Sequence, residues 1–137
     1  MSQAERPKPI LSDLSRPLWE AYARKELVAQ QCTACGELRH YPQPMCPDCY
    51  STEFGWSKLA GTGLIYSYTV SHRAFHPAWE GCVPYVIATI ELDEGVRMVC
   101  DMPRLAPDKV AIGQRVGVEF ESLPGQGVMP RFRLIED

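Results

Sequence analysis

The sequence predicts a mainly β chain in three parts: a short N-terminal helix, a metal-stapled ribbon and a small β-barrel. Three observations predict it. Two Cys-x-x-Cys pairs, Cys32–Cys35 and Cys46–Cys49, lie within eighteen residues. Beyond Trp56 the chain turns to period-two alternation of apolar and polar residues. Before Cys32, one stretch has apolar residues at helical spacing. The expected divisions are 1–31 for the arm and helix, 32–55 for the ribbon and 56–137 for the barrel domain.

Residues 1–13 carry Pro7 and Pro9 among polar residues and read as an extended arm. A helix follows from Arg16 to Lys25, with Pro17 in its first turn and Ser15 as its cap. Leu14, Leu18, Ala21, Tyr22 and Lys25 share one side, with Trp19 at its edge. That stripe reads as core. A single short helix has little of its own chain to pack on, so docking of Trp19 and Tyr22 on a partner subunit is the alternative.

Leu27 to Gln31 reads as a strand entering the first cysteine turn, and Leu38 to Tyr41 as its antiparallel return. Pro42 and Pro44 break pairing before the second turn. Each Cys-x-x-Cys presents two thiolates from a tight turn, and two such turns face to face make a closed tetrahedral sulfur site. Gly36 permits the left-handed backbone of the first turn, and Pro47 sets φ in the second. The site suits a structural Zn²⁺ held by Cys32, Cys35, Cys46 and Cys49; iron is the less favoured occupant. Four thiolates leave no position open for water or substrate. His40 reads as a surface residue or a donor behind the ligands, not as a ligand.

In the barrel region, Leu64, Tyr66, Tyr68 and Val70 alternate with Ile65, Ser67, Thr69 and Ser71. Val86, Ala88, Ile90 and Leu92 repeat the pattern, Asp93-Glu94-Gly95 turns, and Val96, Met98 and Cys100 return. Pro107 to Ile112 reads as a short helical turn. Val116, Val118 and Phe120 make a fourth strand, and Phe132 and Leu134 a fifth after a loop at Gly125 and Gly127. Five strands in this arrangement fit an OB-fold, with an SH3-like barrel as the alternative.

Composition and charge narrow the function. Net charge is −3, which argues against nucleic acid as the main partner. No apolar run approaches eighteen residues, and the start Met-Ser-Gln-Ala-Glu-Arg-Pro lacks a signal-peptide core, so cytoplasm is the expected location. Reduced thiols there favour metal ligation over disulfides. Cys82 and Cys100 read as small buried hydrophobes, their roles otherwise open; a catalytic thiol would need a base such as His72 or His76. The sequence carries no nucleophile elbow, phosphate loop or His-Glu-x-x-His helix, and no catalytic residue is assigned. Glu91, Asp93 and Glu94 read as a solvated turn, and Glu119 and Glu121 as the wet side of a strand.

The loop Ser71-His72-Arg73-Ala74-Phe75-His76-Pro77-Ala78-Trp79-Glu80-Gly81 is the most suggestive segment. A nucleotide-like group could stack on Phe75 or Trp79 with phosphate near Arg73. The alternative is that these aromatics anchor the loop on the barrel. His72, Arg73, Phe75 and Trp79, with Tyr85 beyond, are the candidate contacts for such a group or for a partner.

The ordered motifs Leu-Val-Ala-Gln-Gln-Cys-Thr-Ala-Cys-Gly, Tyr-Pro-Gln-Pro-Met-Cys-Pro-Asp-Cys, Gly-Thr-Gly-Leu-Ile-Tyr-Ser-Tyr-Thr-Val, Pro-Tyr-Val-Ile-Ala-Thr-Ile-Glu-Leu-Asp-Glu-Gly and Ile-Gly-Gln-Arg-Val-Gly-Val-Glu-Phe-Glu resemble one family. It is the zinc-ribbon and OB-fold family, formerly a domain of unknown function, that accompanies thiolase-like enzymes. The resemblance runs from about Pro9 to Phe132. It implies an N-terminal helical segment, a rubredoxin-like zinc ribbon with Cys32, Cys35, Cys46 and Cys49 as ligands, and a C-terminal OB-fold. It further implies a thiolase-like partner subunit in a hetero-oligomer. Such complexes act on acyl-CoA by thiolysis, condensation or retro-aldol cleavage, in isoprenoid-precursor synthesis and in steroid or aromatic degradation. The partner holds the catalytic residues, and the small protein supports assembly and helps enclose the CoA thioester, which makes His72, Arg73, Phe75, Trp79 and Tyr85 the candidate contacts for coenzyme A. The competing reading is an OB-fold module binding single-stranded nucleic acid; a third is an enzyme using Cys82 or a histidine.

Overall fold

Helix α1 spans Arg16–Ala23 in the computed structural model, which describes residues 10–74, 76–123 and 127–135. Pro17 stands in its first turn, where its missing N–H costs nothing. The expected Ser15 cap does not form: Ser15 makes no side-chain bond into the helix. Its hydroxyl instead accepts from the Ser12 amide at 3.0 Å, while Ser12 Oγ accepts from the Ser15 amide at 3.1 Å. The helix ends two residues before Lys25. The Lys25 amide donates to Tyr22 O and the Glu26 amide to Ala21 O, both at 2.9 Å, with Lys25 at φ 61°. This is the Schellman arrangement with lysine where glycine is usual.

The buried face of α1 is Leu18, Ala21 and Tyr22. Tyr22 is 3% exposed and its ring lies 6.3 Å from Phe120. The Tyr22 ring thus packs inside the chain, as the core reading of this stripe expects. Trp19, edge-on to Tyr22 at 5.3 Å, remains half-buried at the rim.

The ribbon is a three-stranded antiparallel sheet in the order β2-β1-β3, from β1 (Val28–Cys32), β2 (Leu38–Arg39) and β3 (Phe54–Lys58). The return strand stops at Arg39, short of the expected Tyr41. β3 pairs with β1 in the register Gln30↔Trp56, so one strand crosses the 55/56 division of the sequence. Behind the cysteines a buried polar knot ties the sheet. Gln30 Oε1 accepts from Arg39 Nε at 2.5 Å and from the Gln43 amide at 2.8 Å, and Arg39 also donates to Gln43 O.

The second sheet holds β4 (Thr62–Ser71), β5 (Tyr85–Leu92), β6 (Arg97–Met102), β7 (Arg115–Leu123) and β8 (Gly127–Leu134). Its order is β6-β5-β4-β7-β8, antiparallel throughout. Short 3-10 turns occupy Pro77–Trp79 and Pro107–Lys109. Gly63 lets β4 approach β5, since a Cβ there would lie 2.9 Å from Leu92 Cα. The strict alternation expected along β4 is broken by a bulge between Ile65 and Ser67. Before it Ile65 faces Ile90 and is fully buried; after it Tyr68 and Val70 stand opposite the buried Ala88 and Val86. One extra residue thus changes which parity shares a face with the buried residues of β5, although Tyr68 itself stays 41% exposed. Tyr66, at the bulge, is 44% exposed, under the Arg97 guanidinium at 3.8 Å.

No backbone ladder joins β6 to β8 among the described residues. Side chains close that seam. Arg131, 6% exposed, pairs with Asp101 at 2.7 Å and lies 3.6 Å from Glu121. Glu119 and Glu121 are not merely wet, since Arg104 bonds them at 3.1 and 3.0 Å. The hairpin tip is likewise tied: Asp93 accepts from Thr62 Oγ1 and pairs with Arg115 at 2.9 Å. The Arg115 bond holds the Asp93 carboxyl below the usual carboxylate range. One core cluster joins α1 and the start of β1 to the barrel interior, including Leu18, Leu27, Ile65, Val86 and Phe132. Among the described residues no helix is long and apolar enough to cross a membrane.

Candidate metal centre and adjoining clefts

The two cysteine turns are built alike. In the first, the Cys32 amide donates to Glu37 O at 3.0 Å and the Gly36 amide to Cys32 O at 2.9 Å. In the second, the Cys46 amide donates to Ser51 O at 2.8 Å and the Tyr50 amide to Cys46 O at 2.9 Å. The residue after each second cysteine is left-handed: Gly36 at φ 82° and Tyr50 at φ 64°. Glycine takes this conformation without strain, whereas a tyrosine there is held by its surroundings.

The four sulfurs lie within 4.8 Å of one another. Cys32 and Cys49 approach to 3.5 Å and Cys35 and Cys46 to 3.7 Å. A zinc ion with bonds of about 2.3 Å places its tetrahedral sulfurs about 3.8 Å apart, so this donor set fits zinc. Cys32 and Cys46 are buried; Cys35 and Cys49 reach the surface. The Cys35 amide, aimed at Cys32 Sγ at 3.5 Å, pulls that thiol down to about 6, whereas Cys35 and Cys49 in the same cluster are raised. The arrangement can hold a metal and staple a sheet; with four protein ligands it offers no open coordination position. His40 is outside this cluster, and burial alone pushes it down to about 4.

The aromatic-loop candidates separate. Trp79 and Tyr85 line a cleft of about 250 Å³ with Ile87, Val99, Met129 and the Asp101–Arg131 pair. His72 and Arg73 are exposed and do not line it. Phe75 lies outside the described residues. The loop is braced, because His76 Nδ1 accepts from the Ala78 amide at 3.0 Å and its ring stands edge-on to Trp79 at 5.8 Å. Cys100 is buried and its thiol, pushed up to about 12 by burial, donates to Asp101 O, consistent with an inert packing role. Cys82 is half-buried, its amide bonded to Trp79 O at 2.9 Å.

A larger cleft of about 460 Å³ runs between α1, the His40–Pro42 turn, β6 and β8. Trp19 and His40 line it, as do Met98, Val99 and Met129. Sequence reading missed these strand residues. They come from separate segments, and no local pattern marks them. Arg131 was not singled out either; it is buried where β8 meets β6.

Two family profiles match. One, described as the ChsH2 rubredoxin-like zinc ribbon domain, covers residues 19–55; the other, the ChsH2 C-terminal OB-fold domain, covers 56–121. The chain is 41% identical over 131 residues to a probable enoyl-CoA hydratase alpha subunit of Thermomonospora curvata. That match takes in 96% of this chain but spans only 40% of the relative's length. It is 37% identical over 102 residues to a DUF35 domain-containing scaffold protein of Methanocaldococcus jannaschii, covering 74% of this chain and 72% of that one. Among solved structures it is similar to a chain of an Ltp2-ChsH2(DUF35) aldolase, with a TM-score of 0.83 and 40% identity, covering 93% of this chain and 98% of that one.

Proposed function

The chain belongs to the DUF35 family of ChsH2-type zinc-ribbon and OB-fold proteins, and from that membership we propose that it is a non-catalytic accessory subunit of a complex acting on acyl-CoA thioesters. Its partner is a thiolase-like subunit that carries the reacting groups. The observation that carries this reading is the likeness, over nearly the whole of both chains, to one component of a two-component aldolase.

The site chemistry agrees with it. The four-sulfur centre holds structure and has no position for a substrate oxygen. The two thiols outside it are a buried, protonated Cys100 and a half-buried Cys82. On this reading, chemistry on a thioester comes from another subunit.

Of the partner reactions in view, retro-aldol cleavage is favoured. One relative is named as an enoyl-CoA hydratase subunit and a solved neighbour as an aldolase. Hydration of an α,β-unsaturated thioester makes a β-hydroxy thioester, which is the substrate class that retro-aldol cleavage consumes. Trp19 and the exposed Ile10 and Leu11 ahead of α1 form the partner-facing end. Trp79 and Tyr85 border the thioester.

Co-expression with a thiolase-like protein, followed by size-exclusion chromatography, tests the proposal. A hetero-oligomer that cleaves β-hydroxyacyl-CoA is the expected result. Two folded proteins that elute separately would sink it, as would micromolar, salt-sensitive binding of a labelled oligonucleotide by this chain alone.

A further inference from the structure

The two clefts beside the β6–β8 seam are one trough. They share Val99, Asp101 and Met129, and the smaller, of about 250 Å³, continues the larger, of about 460 Å³. Volumes in this range suit an organic ligand of moderate size. The walls are aliphatic, aromatic and thioether: Leu18 and Trp19 at one end, Met98 and Met129 along the middle, Ile87 and Tyr85 at the other. Unbranched methionines adapt to varied apolar shapes. Val99 lies where the two clefts meet and is 52% exposed, an aliphatic side chain facing solvent on the trough floor.

The charges in this lining are neutralised. Arg131 is the one cation that lines it among the described residues, and it is paired with Asp101 at 2.7 Å. His40 is kept neutral by burial, and burial likewise keeps Tyr22 and Cys100 protonated. Among the described lining residues phosphates would find no uncommitted cation, whereas a hydrocarbon would exchange water for apolar walls.

Resting on the accessory-subunit reading, we infer that this trough binds the hydrocarbon portion of the acyl thioester, the aliphatic chain or ring system, and not its nucleotide end. The accessory subunit then sorts substrates by the size of their apolar part while its partner performs the chemistry.

Titration calorimetry on the zinc-loaded full chain with butyryl-, hexanoyl- and octanoyl-CoA tests this. Each buried CH₂ contributes about 0.8 kcal/mol, so Kd falls about fourfold per methylene, and adenosine 3′,5′-bisphosphate does not displace the ligand. Val99→Asp, at an exposed position, abolishes the chain-length dependence while zinc content and co-elution with the partner are retained. Affinity independent of chain length, displacement by the bisphosphate, or unchanged binding by V99D would each overturn the inference. Loss of co-elution in V99D would assign the trough to the partner and overturn it as well. If the wild-type chain fails to co-elute with any partner, the accessory-subunit reading falls, while the chain-length series still reports on the trough.

Discussion

Asp101→Ala should be among the most damaging single changes in the barrel. Arg131 is 6% exposed and its guanidinium meets Asp101 at 2.7 Å across a seam that has no backbone ladder. Removing one partner of a buried pair costs about 3–5 kcal/mol, because the other charge stays buried. Two observations lower that figure here. The Asp101 side chain keeps 26% of its accessibility, and Glu121 remains 3.6 Å from Arg131 Nε. A loss of about 2–3 kcal/mol follows, which moves a urea midpoint by about 1–2 M at the slope usual for a chain of this size. Arg131→Met removes the buried charge together with the pair and should cost less. The double variant Asp101→Ala/Arg131→Met should recover part of the loss, with a coupling of about 2 kcal/mol in the cycle. Urea denaturation of the four zinc-loaded proteins measures all of these. A coupling below about 0.5 kcal/mol would mean that the pair behaves as a solvated surface bridge, and that the seam is held by apolar contact alone.

Elemental analysis should return one zinc per chain, and Cys46→Ala, at a fully buried ligand, should lose both the metal and the ribbon's protection from protease. Gly36→Ala puts a side chain on a φ of 82° and should weaken zinc binding about fivefold in a chelator competition, the equivalent of about 1 kcal/mol. Lys25→Gly relieves the same strain at the end of α1, where φ is 61°, and should raise stability by about 0.5–1 kcal/mol in urea melts. His40 has its folded pKa lowered by burial from 6.5 to about 4, so below pH 6.5 the unfolded chain takes up a proton that the folded chain refuses. Stability should therefore fall as pH falls from 6.5 towards 4, by about 1 kcal/mol between pH 7.5 and 5.5, and His40→Phe should flatten that slope in urea titrations.

The metal centre was legible because its geometry is local. Each four-residue turn is written in consecutive letters, Cys32 to Cys35 followed by Gly36 and Cys46 to Cys49. The hairpin between β5 and β6 was legible because its turn announces itself at Asp93-Glu94-Gly95. What sequence could not show depends on partners far along the chain. The bulge after Ile65 leaves the alternation of letters intact while changing which of them share a face with the buried residues of β5. Ser15 resembles a cap, but its hydroxyl is engaged backwards by Ser12. Within its own helix Tyr22 meets the edge of Trp19; Phe120, on β7, completes its packing. The trough draws on α1, the turn after β2, and strands β5, β6 and β8, so no window of sequence contains it.

Because β3 runs through the point where ribbon gives way to barrel, and α1 buries its stripe in the barrel core, the two halves cannot be separated without cost. A cut after residue 55 would sever a paired strand and strip Leu18 and Tyr22 from the interior they fill. Evolution can graft this cassette beside other modules only whole, carrying its helix, its sulfur clasp and its barrel together.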